Sequence, residues 1–219
     1  MNIYTISDPY KFKVELQALN SFIEKYPLEH HERNLIINCF KNIIFYNHIS
    51  GEDIFYQYLQ GIIYDSLNSI ISIITNKERY FQLNLRSIVE NIARITLKNN
   101  LDNAEYSDFI KTEDFSFLKR NNDMRTWNYL HQIYSRACLY IHSSPEAKLN
   151  ITHTFEQLMN NDTCTNRTKQ IETLQRTLHH ITKVLLVNFH TEISDIFIRT
   201  KKELKFLIGP SLFTMYNEL

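Results

Sequence analysis

The chain has 219 residues, 43% hydrophobic and 13% aromatic, which is enough to bury a sizeable core, and its 24 Lys+Arg balance 24 Asp+Glu. Three glycines and four prolines are too few for a turn-rich β protein. The lack of a basic surplus excludes a protein that holds nucleic acid by overall charge, so any RNA-binding groups must be concentrated locally.

Cys39, Cys138 and Cys164 have no close spacing, which argues against a disulfide framework and fits a reducing cytoplasm. The opening MNIYTISDPYKFK lacks the basic-then-apolar order of a signal peptide, and no apolar run approaches the roughly 18 residues of a membrane span. The expectation is a soluble, cytoplasmic protein with no membrane partner.

In chain order, residues 9–26 predict a first helix, with Phe12, Leu16, Leu19, Phe22 and Ile23 on one face and Pro27 after it. A second helix spans about 29–48, carried by Leu35, Ile36, Phe40, Ile43 and Ile44 and broken by Ser50-Gly51. Residues 52–75 are the most apolar segment, with Ile54, Phe55, Leu59, Ile62, Ile63, Leu67, Ile70, Ile71 and Ile74, and predict a central helix.

After Asn76, Phe81, Leu85, Ile88, Ile92 and Ile95 repeat at helical spacing. Arg86, Glu90 and Arg94 fall on another side at i, i+4 and i+8, where the carboxylate can pair with either arginine. That is either a solvated ion-paired face or a set of charges lining a groove. Residues 99–122 are polar and predict a loop-rich connection with a short helix or two.

Trp127, Leu130, Ile133, Tyr134, Ala137 and Ile141 define an amphipathic helix over 124–142, stopped by Ser143-Ser144-Pro145. A short helix follows in 146–160, using Leu149, Phe155, Leu158 and Met159, and then a turn-rich link at 160–166. Ile171, Leu174, Leu178, Ile181, Leu185 and Phe189 begin another stripe, which Ile193, Ile196 and Phe197 can extend to Leu207 as one rod of about 167–207. Gly209-Pro210 is expected to stop it, leaving SLFTMYNEL as an apolar tail.

Near the end of the 124–142 helix stand Arg136 and His142, with five residues between them. This arginine, histidine and helix stop resemble the R-x(4–6)-H signature of the HEPN superfamily. Arg86-Ser-x-x-Glu90, followed downstream by Tyr134-Ser135 and His142, is similar to a HEPN-like subgroup of bacterial proteins. The resemblance covers about 52–145. It implies an all-α antiparallel bundle with additional N- and C-terminal helices, here in one domain. It also implies a metal-independent endoribonuclease of toxin or antiphage-defence type, with RNA as substrate, no cofactor and no metal. The active site would be shared across a homodimer, and an antitoxin or other protein partner is possible for such a chain.

The chemistry suits that role, since a histidine can move the proton of a ribose 2′-OH and an arginine can stabilise phosphate charge in the transition state. On an ideal helix Arg136 and His142 differ by roughly 120° in azimuth and about 9 Å along the axis, so one straight helix cannot bring them together. Arg86 and Glu90 would orient the pair or bind substrate, with His131, Ser135 and Tyr140 as supporting residues. His131, Ser135, Cys138 and His142 form a strip at i, i+4, i+7 and i+11, which is either a polar seam or the floor of a pocket.

Tyr134 and Tyr140 can stack a base or pack in the core. Arg125 and His131 repeat the same spacing at the helix start. Active family members usually carry a polar residue after the arginine, where this chain has Ala137. The alternative expectation is therefore a non-catalytic HEPN-like interaction or regulatory module. No CxxC, HExxH, phosphate-binding glycine loop or G-x-S-x-G motif supports metal, nucleotide-hydrolysing or serine-hydrolase chemistry.

Overall fold

The computed structural model describes residues 12–51, 56–100, 108–149, 154–160 and 165–219. These form ten α-helices and a single 3-10 turn, with no β-strand among them, so the all-α expectation holds. The helices are α1 (Phe12–Ile23), α2 (His30–Ile49), α3 (Tyr56–Ile74), α4 (Glu78–Asn100), α5 (Thr112–Asn121), α6 (Met124–Ile141), α7 (Phe155–Asn160), α8 (Arg167–Asn188), α9 (His190–Phe197) and α10 (Lys201–Glu218). The expected positions of Ile54 and Phe55 lie outside the described residues.

α4 and α8 organise the bundle. α4 packs against α3, α6 and α5, and α8 packs against α2, α3, α4, α6 and α10. The predicted α4 stripe of Phe81, Leu85, Ile88, Ile92 and Ile95 is buried throughout. Each such side chain contributes about 1.5–3 kcal/mol on leaving water.

The α3–α4 corner closes tightly. Asn76 takes a left-handed φ of 58° while its N–H bonds to Ile73 O and Lys77 N–H to Ser72 O. That is a Schellman stop, at a residue type that tolerates this conformation better than most. α3 packs against α4, α2 and α8 and buries Leu59, Ile62, Ile63, Ile70 and Ile74, as a central helix should, but not its whole apolar set. Its outer row of Tyr64, Leu67 and Ile71 is exposed, and serines at 66, 69 and 72 are buried in their place.

Two buried polar clusters join distant segments. At the start of α8, Glu32 of α2 receives Arg167 and Thr168, while Glu78 of α4 accepts from Thr165 N–H and its hydroxyl. Deeper in, the Tyr46 hydroxyl donates to Leu178 O at 2.7 Å and lies 2.9 Å from Thr182 Oγ1, which donates to Asn42 Oδ1 at 2.8 Å. Buried polar groups in these clusters therefore find partners, as burial requires.

The C-terminal rod is not one helix. Phe189 (φ −130°, ψ 35°) breaks it after α8, and residues 198–200 break it again before α10. Thr200 N–H bonds to Phe197 O, closing α9 with a turn, and Phe197 packs against Phe45. Gly209-Pro210 kinks α10 without ending it: Gly209 sits at φ 83°, ψ 163°, and Pro210 restarts a helix that carries the expected tail to Glu218. Proline suits the first position of a helical segment because its missing N–H is not needed there. Leu212 and Tyr216 of this segment are buried. Between α6 and α8 the described residues hold a 3-10 turn at Pro145–Ala147 and α7 (Phe155–Asn160), with Phe155 exposed; residues 150–153 of the expected short helix lie outside the described residues.

Candidate functional site

α6 carries the Arg136/His142 motif, and its ends fix where those residues stand. Asp123 caps the start by accepting from Arg125 N–H and the Thr126 hydroxyl. The end is a second Schellman stop: Ser143 adopts φ 50°, its N–H meets Tyr140 O, and Ser144 N–H meets Leu139 O. His142 is thereby the C-cap residue, exposed, with Arg79 tying down the flanking Ile141 O and Ser143 Oγ. Arg136 is exposed one and a half turns earlier. No hydrogen bond or ion pair joins Arg136 and His142, and α6 stays helical between them. Within one chain the two do not meet.

The expected site instead divides between the two flanks of the α4–α6 contact. On one flank Arg86 pairs with Glu90 at 2.9 Å, and Glu90 reaches Arg94 at 3.7 Å. The guanidinium of Arg86 lies 5.8 Å from the Tyr134 ring centre, and Arg94 is bound to Asn91 Oδ1 and Asp108 O. Burial alone would lower the Arg86 pKa, but Glu90 and the Tyr134 hydroxyl outweigh it and raise it. Burial, with Cys138 close by, raises the Tyr134 phenol. The Nε of Arg86 is buried without a partner among the described residues.

Ser135 is exposed on α6, and His142 falls within about 20° of its azimuth on an ideal helix, but eight residues, about 12 Å, beyond Tyr134. His131 stacks on Phe115 at 4.5 Å, and its Nδ1 accepts from Lys119 Nζ at 2.8 Å. Burial and that lysine lower its pKa, so the ring is a neutral structural acceptor. Tyr140 is only 4% exposed and packs inside the molecule, where its ring is closed to a base.

Arg136 stands on the other flank, roughly 200° from both Tyr134 and Cys138. It opens into a groove of about 800 Å³ between α4, α6 and α8, which it shares with Lys169, Glu172, Arg176 and Tyr129. The Arg176 guanidinium covers the Tyr129 ring at 4.4 Å, and His180 stacks on that ring at 4.6 Å. Burial, then His179, Arg176 and Lys183, push His180 down to about 4, so it is neutral at pH 7. Its Nδ1 lies 3.2 Å from the Thr126 hydroxyl, whose own proton goes to Asp123; the ring therefore carries its proton on Nδ1.

Lys169 and Arg176 escaped sequence reading because each is an isolated cation on the outer face of an α8 stripe. Only folding brings them beside Arg136. Among the described residues no group of three or more His, Cys, Asp or Glu side chains could hold a metal ion. No described helix is long and apolar enough to cross a membrane. No family model, curated protein or solved structure matches the chain.

Proposed function

We propose that the protein is a metal-independent RNA endonuclease of the kind its resemblance to the HEPN superfamily implies, completed by a second copy of the chain. Arg136 of one copy would hold the scissile phosphate, and His142 of the other would take the proton of the 2′-hydroxyl. O2′ then attacks phosphorus, and the P–O5′ bond breaks as the protonated histidine returns that proton to O5′, leaving a 2′,3′-cyclic phosphate and a 5′-hydroxyl. The observation that supports this best is the state of Arg136. Arg79, Arg86, Arg94 and Arg167 are engaged in hydrogen bonds or ion pairs, whereas Arg136 is exposed in a groove that also holds Lys169, Arg176 and one carboxylate, Glu172. A two-fold contact near α6 would place each motif beside its copy.

A specific observation favours a second reading, the non-catalytic interaction or regulatory module. Ala137 is fully buried, so the position that is polar in active relatives faces the core, and Arg136 and His142 lie on different sides of α6. One experiment separates the two. Purified protein is incubated with RNA in EDTA, the ends are mapped, and the mass in solution is measured by light scattering. Cleavage to 2′,3′-cyclic phosphate ends by a dimer, lost in His142→Ala, supports the nuclease. A strict monomer that binds RNA or a partner protein without cutting supports the module.

A further inference from the structure

A second concavity of about 800 Å³ opens between α2, α8 and α10. Lys41 of α2, Arg176 of α8, and Lys202 and Lys205 of α10 line it, and no carboxylate does so among the described residues. The chain has as many acidic as basic residues, so this one-sided lining is not a consequence of composition. Uncompensated like charges in one concavity repel each other, and proteins usually intersperse the signs.

Neutral donors complete the wall. Asn38, Gln175 and Ser211, whose side chains carry neutral donors, line the same space. The kink at Gly209 matters here, because it starts the Pro210–Glu218 segment on the wall, and the first amides of a helical segment favour an anion. Lys41 is held in place by Phe206, 4.4 Å beneath its Nζ, and burial lowers its pKa. An anion would reverse that shift.

We propose that this concavity binds a ligand carrying two or more linked phosphates, with Lys41, Arg176, Lys202 and Lys205 as its cationic contacts. The volume far exceeds one phosphate and suits a nucleotide-sized group. Lys41, Lys202 and Lys205 play no part in the Arg136/His142 reading, so the inference does not rest on it. Arg176 also lines the Arg136 groove, which makes the two basic surfaces continuous across α8.

The test titrates the full chain with tripolyphosphate by calorimetry at two salt concentrations. Saturable binding that weakens with salt is expected, with the Lys202→Glu/Lys205→Glu pair at least about tenfold weaker. Arg120→Glu, on α5 and lining neither concavity, should leave it unchanged. Should the reversed pair melt early, Lys202→Gln/Lys205→Gln gives the same comparison without new charge.

Two sources of the phosphates are distinguished by adding ATP and short RNAs. Tighter binding of a 5′-triphosphorylated RNA than of its 5′-hydroxyl form points to an RNA end, and ATP binding without such a difference points to a free nucleotide. The proposal is overturned if tripolyphosphate gives no saturable heat at millimolar concentration, or if the α10 pair binds it as tightly as wild type.

Discussion

Glu32 and Arg167, 135 residues apart in sequence, meet through two hydrogen bonds of 3.1 and 3.0 Å. The Glu32 carboxylate also accepts from Thr168 and from Glu29 N–H, and the same arginine reaches Pro27 O. Its side chain is 4% exposed, against 26% for Arg167. Burial opposes its ionisation, yet Arg167 and the two further donors hold its pKa below the ordinary carboxylate value. Glu32→Ala should therefore cost about 3 kcal/mol in urea denaturation. Arg167→Lys should cost less but still register, because a lysine cannot reproduce the forked contact. Equal stability of wild type and Glu32→Ala would show the clamp to be ornamental.

Gly61 and Gly209 should respond to alanine for different reasons. A Cβ on Gly61 would fall 2.6 Å from Asn91 Nδ2, at the close approach of α3 to α4. Asn91 is buried and bound to Arg94, but a side-chain amide can move, and alanine gains about 0.5–1 kcal/mol over glycine in a helix. Gly61→Ala should thus melt close to wild type, and Gly61→Leu well below it. Gly209 has open space around it, but φ 83° with ψ 163° is essentially reserved for glycine. Gly209→Ala should cost about 1–3 kcal/mol with no steric clash.

Acid should destabilise the fold in two steps. His180 is lowered from 6.5 to about 4 in the folded chain, so between those values the unfolded state binds more protons. Its contribution is complete above the unfolded value and is lost as pH falls toward about 4; it amounts to at most roughly 3 kcal/mol. His131 and His179 shift in the same direction. Asp123 behaves separately. Burial opposes its ionisation, but Lys183 and Thr126 outweigh that and bring it from 3.8 to about 2, so its share is lost only below the first window. Stability measured from pH 7 to 4.5 should fall in wild type and flatten in His180→Gln.

Under the proposed nuclease function, His142→Ala and Arg136→Ala should each reduce RNA cutting by about a hundredfold to a thousandfold, the usual loss for a transition-state contact. Both residues are exposed, so the melting temperature should barely move. Arg86→Ala is the contrasting case: it breaks the Glu90 and Tyr134 cluster and should lower stability by about 1–2 kcal/mol. Arg125→Ala, with the same sequence spacing at the other end of α6, should cut normally. Loss of cutting in Arg125→Ala with retention in Arg136→Ala would assign the motif wrongly.

Helical periodicity made the packing of α4 and most of α8 legible, because a repeating burial pattern leaves a repeating composition. Leu67 and Ile71 misled, since an apolar residue can remain at the surface while a serine that bonds back to its own helix is buried. The rod at 167–207 misled for another reason. Phe189 carries no local signal for a break, and the helix beyond it turns to pack Phe197 against Phe45. Spacing alone correctly separated Arg136 from His142 on one helix. It gave no sign that Lys169 and Arg176 would flank Arg136, or that Lys41 would join two lysines of α10, because those neighbours come from different helices.

The hydroxyl chain of Tyr46, Thr182 and Asn42 has a consequence for how α2 and α8 can slide. Leucine and isoleucine seams tolerate a shift by one turn, since one apolar contact replaces another. Here such a slip would pull the Tyr46 hydroxyl away from Leu178 O and leave a buried oxygen without a partner. The cluster therefore works as a register pin between the two helices, and it holds Lys41 opposite Arg176 on the wall they share.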